Sequence, residues 1–259
     1  MMPIEMITPS DLLKVLRKIE DREAIETAHR VRGIFGQIFR YAIATGRATS
    51  DPSRDLRGAL SPVKKQHLAA VTEPKLVGNL LKVIEGHRGS PIVKAALSLA
   101  PLVFVRPGEL RQAEWKDIDL ENAEWRFVVS KTETQHIVPL AAQPIAILKQ
   151  IHPLTGSGRY VFPSARTFER PMSDNAILAA LRSLGVPKEE MCGHGFRAMA
   201  RTILDEALGF PPHLIEHHLA HSVKDALGRA YNRTKHLPER REMMQRWADY
   251  LDGLKRGET

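Results

Sequence analysis

Four segments of the chain hold basic or protic side chains that burial alone would not select: FVRPGELRQAEWKDID, SKTETQHIVPL, CGHGFRAMART and LAHSVKDALGRAYNR. Arg106 follows the apolar run SLAPLVFV and precedes Pro107, so its guanidinium emerges where a buried helix ends. Read alone, it is the surface arginine that many helix ends carry. His194 and Arg197 stand three apart at the start of a helix and share a face, and Gly193 and Gly195 beside them leave room for a ligand's backbone. A helix N-terminus with an Arg and a His suits an anion. The plain alternative is a capping histidine beside a surface arginine. His213, His217, His218 and His221 raise the question of a metal. No HExxH pattern and no closed set of further Cys or carboxylate ligands accompanies them, so no metal site is expected.

Helices must carry most of these residues. Thr8 or Ser10 caps a helix through DLLKVLRKIE, and a second runs from Arg22 to about Gly46 with Arg30, Arg32, Arg40 and Arg47 on its outer, basic faces. Pro52 breaks it, and SPVKKQHLAAVT, with Lys64 and Lys65, reads as an extended basic linker. The expected division is residues 1–70 and 71–259. Thr72 caps the next helix and Pro91 begins another. WRFVVS and HIVPL form a hairpin with Lys131 at its turn or edge, and RYVFP is one more short apolar run. Helices follow over SDNAILAALRSL with Ser173 as cap, GFRAMARTILDEAL, PPHLIEHHL, VKDALGRAY and PERREMMQRWADYL. In the last, Met243, Met244, Trp247, Tyr250, Leu251 and Leu254 fall on one side, and Arg240, Arg241, Glu242, Arg246 and Asp249 largely on the other. The fold class is therefore mainly α with a small antiparallel β-sheet.

Composition is consistent with this: 259 residues, 43% hydrophobic and 26% charged, can bury a sizeable core. The net charge of +8 fits a partner made of phosphates or anionic lipid. Cys192 is the one cysteine, so no internal disulfide forms and nothing points to an oxidising compartment. The run Pro91–Val105 carries Lys94 and Pro101 and is too short to span a bilayer of about 30 Å as a helix. No membrane partner is expected, MMPIEMITPS lacks secretory-signal features, and a cytoplasmic location is the default.

Taken together, these motifs resemble the tyrosine recombinases, most closely the integrases of bacteriophages and genomic islands. VRPGEL with WKDID looks like the family's box one, which makes Arg106 the first catalytic arginine and Glu109 its acidic neighbour. HGFR is similar to the box-two H-x-x-R and gives His194 and Arg197. LAH is similar to L-G-H and gives His221, with Ala220 where Gly is commoner. Tyr231, ten residues on, falls at the nucleophile's position, and Lys131 falls at that of the mobile catalytic lysine. The resemblance covers residues 70 to 255, preceded by what looks like the C-terminal part of a helical core-binding domain. It implies that the chain is the C-terminal portion of a longer integrase, or an unusually short member of the family.

The resemblance implies a metal-independent reaction with no cofactor. Tyr231 attacks the scissile phosphate to make a 3′-phosphotyrosyl link, Arg106 and Arg197 fork onto the phosphate oxygens, and His221 adds a hydrogen bond. His194 is the candidate base, Lys131 the acid for the leaving 5′-oxygen, and Glu109 an orienting group. The implied partners are double-stranded attachment sites and accessory DNA-bending proteins. Arg30, Arg40, Lys64 and Lys65 would contact DNA. A homotetramer would form on DNA and a monomer without it, the last helix docking on a neighbour in the tetramer and folding back in its absence. Two other readings remain: a type IB topoisomerase-like enzyme, and a DNA-binding regulator that does not cleave.

Overall fold

The computed structural model describes residues 2–63, 68–129, 133–220 and 236–258; Lys64, Lys65, Lys131, His221 and Tyr231 lie outside the described residues, as does the VKDALGRAY segment. The chain divides into two compact units, Met1–His67 and Leu68–Thr259. Among the described residues no helix is long and apolar enough to cross a membrane.

In the first unit α1, Pro9–Glu20, starts on a capping box: the Asp11 amide donates to Thr8 Oγ1 at 3.3 Å, and the Thr8 amide to Asp11 Oδ2 at 3.1 Å. Its stripe of Leu12, Leu16 and Ile19 packs with Ala28, Phe39 and Ala42 of α2, Ile25–Ala44. This second helix is shorter than expected at its start, because Glu23 turns the chain at φ +59°.

The second unit is built around α4, Pro91–Val103, whose residues from Ala95 to Val103 are almost all buried. A helix apolar on every side must be enclosed. Packed on it are α3, Pro74–Glu85; α5, Pro107–Arg111; α6, Ala142–Thr155; α7, Ala176–Ser183; α8, Gly195–Glu206; and α10, Leu237–Arg256. The short α9, Pro212–His218, lies against α8 and α10. One antiparallel sheet runs β1 (Ile118–Asp119), β2 (Glu124–Val129), β3 (Thr134–Pro139), with Trp125 opposite Val138 and Phe127 opposite His136.

Three local expectations need correction. The caps are Glu73 rather than Thr72 and Asn175 rather than Ser173, whose hydroxyl instead accepts from the Asn175 amide at 3.3 Å. In the apolar run RYVFP, as its composition suggests, Val161 and Phe162 are fully buried, and isolated bridges join Tyr160 to Glu114 and Pro163 to Pro171. Arg240 is not on the outer side of α10 but wholly buried with Met243, Met244 and Trp247. The apolar stripe of α10 is core of its own unit, packed in cis against α3, α4, α6, α9 and β3. The Trp247 indole donates to the Pro101 carbonyl at 2.9 Å, and Gln245 Oε1 accepts from the Ala142 amide at 3.0 Å.

Candidate active site

Arg106 is the N-cap of α5, extended at φ −64° and ψ 143° because Pro107 follows it. Glu109, one turn on, grips it twice: its carboxylate accepts from the Arg106 amide at 2.9 Å and from Nη1 at 2.8 Å. With side-chain exposures of 23% for Arg106 and 7% for Glu109, the carboxylate is the enclosed partner and the guanidinium the one that reaches outward.

Arg197 sits in the first turn of α8 and bridges two turns of the chain. Nη1 donates to the Phe104 carbonyl at 3.1 Å and Nη2 to the Leu219 carbonyl at 2.7 Å. Arg106 Nη2 lies 3.5 Å from the next carbonyl, that of Ala220. Two separate arginines thus hold the two residues that immediately precede His221. Both turns are left-handed at residues other than glycine, Phe104 at φ +34° and Ala220 at φ +51°. Such a conformation costs a residue with a Cβ about 1 kcal/mol or more. Burial, and then the nearby Arg106 charge, lower the Arg197 pKa to about 10. It remains cationic at neutral pH.

His194 is the N-cap residue of α8, exposed, with its pKa lowered by desolvation and next by the Arg197 and Arg106 charges. Its ring therefore stays neutral at neutral pH and can take up a proton. The neighbouring glycines serve differently from expectation. A Cβ on Gly195 would lie 2.4 Å from the Ala69 carbonyl oxygen and 2.8 Å from Met191 Sδ, so the space is filled by the chain itself and not kept for a ligand.

Arg106, Glu109, His194 and Arg197 are thus brought together, whereas Lys131, His221 and Tyr231 lie outside the described residues. His213, His217 and His236 make ring contacts at centroid distances of 5.1 and 6.5 Å. No group of three His, Cys, Asp or Glu able to hold a metal occurs among the described residues. A second basic feature lies within the first unit. A cleft of about 420 Å³ is lined by Arg32, Arg40, Arg54 and Arg57 with the buried Asp51. Of these the sequence reading picked out Arg32 and Arg40. Arg32 and Arg40 are eight residues apart on one face of α2, whereas Arg54 and Arg57 come from a separate segment whose approach periodicity does not show. Arg30 is exposed and does not line the cleft.

The sequence reading also missed the buried polar set His136, His218 and Arg240. A signal existed for Arg240: it precedes Met243, Met244, Trp247, Leu251 and Leu254 at the three-and-four spacing of their own stripe.

Residues 1–59 match the phage integrase central domain and residues 71–236 the phage integrase family. The integrase of Enterobacteria phage P4 is 35% identical over 265 residues, which cover 96% of this chain and 60% of that protein. The chain spans 60% of that relative's length and 65% of that of another, the IntB protein of Escherichia coli. Its fold is similar to that of a lambda integrase dimer bound to a COC′ core site, with TM-score 0.66 at 22% identity, covering 89% of this chain and 84% of that one. A lambda integrase tetramer bound to a Holliday junction gives TM-score 0.66 at 19% identity, over 86% and 66% of the two chains.

Proposed function

Because the chain belongs to the phage integrase family of tyrosine recombinases, we propose that it is the catalytic portion of a site-specific DNA recombinase, cutting and rejoining attachment-site DNA to integrate or excise a mobile element. Residues 1–70 would serve as partial core-binding domain and linker, and residues 71–259 as the catalytic domain. One observation carries the reading: Arg106 and Arg197, far apart in sequence, converge on the carbonyls of Ala220 and Leu219, at the residue that leads into His221. Charge at that place suits a phosphate.

In the proposed reaction the Tyr231 oxygen bonds to phosphorus as the bond from phosphorus to the 5′-oxygen breaks, and Lys131 gives the leaving oxygen its proton. The proton of Tyr231 passes to His194, which is neutral for that purpose. Arg106, oriented by Glu109, and Arg197 stabilise charge on the non-bridging oxygens, with His221 beside them. Attack by a 5′-hydroxyl on the phosphotyrosine reverses the steps and joins the new strand. The covalent link conserves the bond energy, so the scheme uses no cofactor and no metal.

The partners would be double-stranded attachment sites, with Arg30, Arg40, Lys64 and Lys65 on the DNA side and accessory bending proteins assisting. By likeness to the lambda integrase tetramer on a Holliday junction, the working form would be a homotetramer on paired sites and a monomer without DNA, acting in the cytoplasm. The test is incubation with the element's own attachment-site duplex and a denaturing gel. A protein–DNA adduct that survives denaturation and persists in EDTA supports the reading; its absence from the wild-type protein overturns it.

A further inference from the structure

Arg240, in the first turn of α10, is completely shielded from solvent, and no carboxylate pairs with it among the described residues. Its Nη2 donates to the Ile137 carbonyl at 2.5 Å and to His218 Nδ1 at 3.3 Å, while Nε and Nη1 meet no hydrogen-bond partner among the described residues. A buried cation with so few partners is costly, and an aliphatic side chain of similar volume would ordinarily serve stability as well or better. Its presence calls for a task other than stability.

The donor and acceptor roles are fixed by chemistry. Arginine only donates, so His218 Nδ1 is an acceptor and its Nε2 carries the hydrogen, pointing at the Val103 carbonyl 3.4 Å away. His136 Nε2 likewise donates to the His218 carbonyl at 2.9 Å. Burial, and then the Arg240 charge, keep both rings neutral, His136 at about 3 and His218 well below its ordinary value. The Phe104 ring lies 4.5 Å from that of His218.

His218 thus joins pieces that each carry part of the candidate site. Val103 precedes Phe104, whose carbonyl holds Arg197, and stands three residues before Arg106. His218 precedes Leu219 and Ala220, whose carbonyls meet Arg197 and Arg106. His136 and Ile137 lie on β3, five and six residues after Lys131 in the sequence, and Arg240 follows Tyr231 by nine residues.

We propose that Arg240 and His218 are positioning residues of the strand-transfer site: Arg240, through His218, fixes the last turn of α9 against the end of α4 and so sets the spacing of Arg106 and Arg197. The proposal rests on the recombinase reading for its catalytic consequence, but its structural half stands without it. The buried charge makes the seat of α9 specific, because a shift of the turn strands a cation. The two guanidiniums then keep their separation when a phosphate enters between them.

Two measurements on the full chain test this. In DNA-free protein labelled with 15N, His218 is expected as the Nε2–H tautomer, and Arg240→Met should move the side-chain signals of both Arg197 and Arg106. Signals that stay in place overturn the positioning role whatever the enzyme's activity. On a nicked duplex carrying the attachment-site core of the element that encodes the chain, Arg240→Met should lower the single-turnover adduct rate by about tenfold or more, with DNA affinity within about twofold and the unfolding temperature not lowered. Arg240→Lys should recover part of the rate. Adduct formation within about twofold of wild type, or a parallel fall of rate, affinity and unfolding temperature, overturns the proposal in favour of core packing. If Arg240→Met does not fold, His218→Gln, which can still accept and donate on the same two sides, should retain the rate that His218→Leu loses, and equal rates overturn the proposal. A wild-type protein that forms no adduct refutes the recombinase reading, while the 15N measurement still decides the positioning.

Discussion

Arg197 shows why the site uses guanidiniums. Its two terminal nitrogens reach carbonyls of different segments, Phe104 and Leu219, a span that the single ammonium of lysine cannot bridge. Arg197→Lys is therefore expected to behave almost as Arg197→Ala, each losing about 10² or more in adduct formation, measured as a single-turnover rate. Tyr231→Phe should bind attachment DNA nearly as wild type does and form no adduct, since phosphate contacts dominate affinity; an adduct in that variant would relocate the nucleophile. Ala220, at φ +51°, pays for a Cβ in a left-handed turn. Ala220→Gly should raise stability by under about 1 kcal/mol in urea unfolding, the gain being cut by the greater freedom of glycine in the unfolded chain. At this scale the residues that come together could be named in advance, because Arg106, His194 and Arg197 stand in short fixed motifs. The role of Gly195 could not, since the Ala69 carbonyl that occupies its space lies far away in sequence.

Among the elements, α9 and β3 share a histidine problem with a measurable consequence. His136 and His218 are neutral when buried, yet an exposed histidine titrates near 6.5. Between those values the unfolded chain binds protons that the native one refuses, so stability must fall as pH drops below about 6.5, by up to about 1.4 kcal/mol per pH unit for each ring. Urea midpoints between pH 7 and pH 4.5 check this, and a flat profile would refute the buried neutral assignment. Most of the described helices were legible from apolar spacing, and the hairpin from its two β-branched runs; α5 is too short to show a period, and α6 was hidden because Pro144 and Pro153 stand within it. The sidedness of α10 was only partly legible. Its apolar residues do pack on the core, but charge was assumed to mean outside, and Arg240 is held in the core by a carbonyl and an imidazole that no local pattern displays. The C-terminal helix packs in cis through Met243, Met244 and Trp247, so any exchange with a neighbour must first expose that surface.

The molecule as a whole is two units with separate cores, one around Leu16 and Phe39 and the other around α4. Residues 68–259 are expected to fold alone, with unfolding cooperativity retained but weaker attachment-site binding. If the arginine cleft contacts phosphates, Arg40→Ala with Arg57→Ala should reduce the slope of log affinity against log salt by about 1 to 2, each lost contact removing roughly 0.9. An unchanged slope would place the cleft off the DNA path. The break between the units, after His67, falls within the basic, aperiodic stretch that follows Pro52. The assembly of the cleft was not legible, because its arginines come from separate segments.

The seat of Trp247 turns the fold into its own optical gauge. The chain has three tryptophans, of which Trp125 and Trp247 are fully buried. Only Trp247 lies on α10, with its indole hydrogen on the Pro101 carbonyl and its ring edge-on to Phe104 at 6.0 Å. An indole emits at shorter wavelength in an apolar enclosure than in water. In a Trp115→Phe, Trp125→Phe background the remaining signal would report, in real time and without any added label, whether the last helix stays home or departs as protomers gather on DNA.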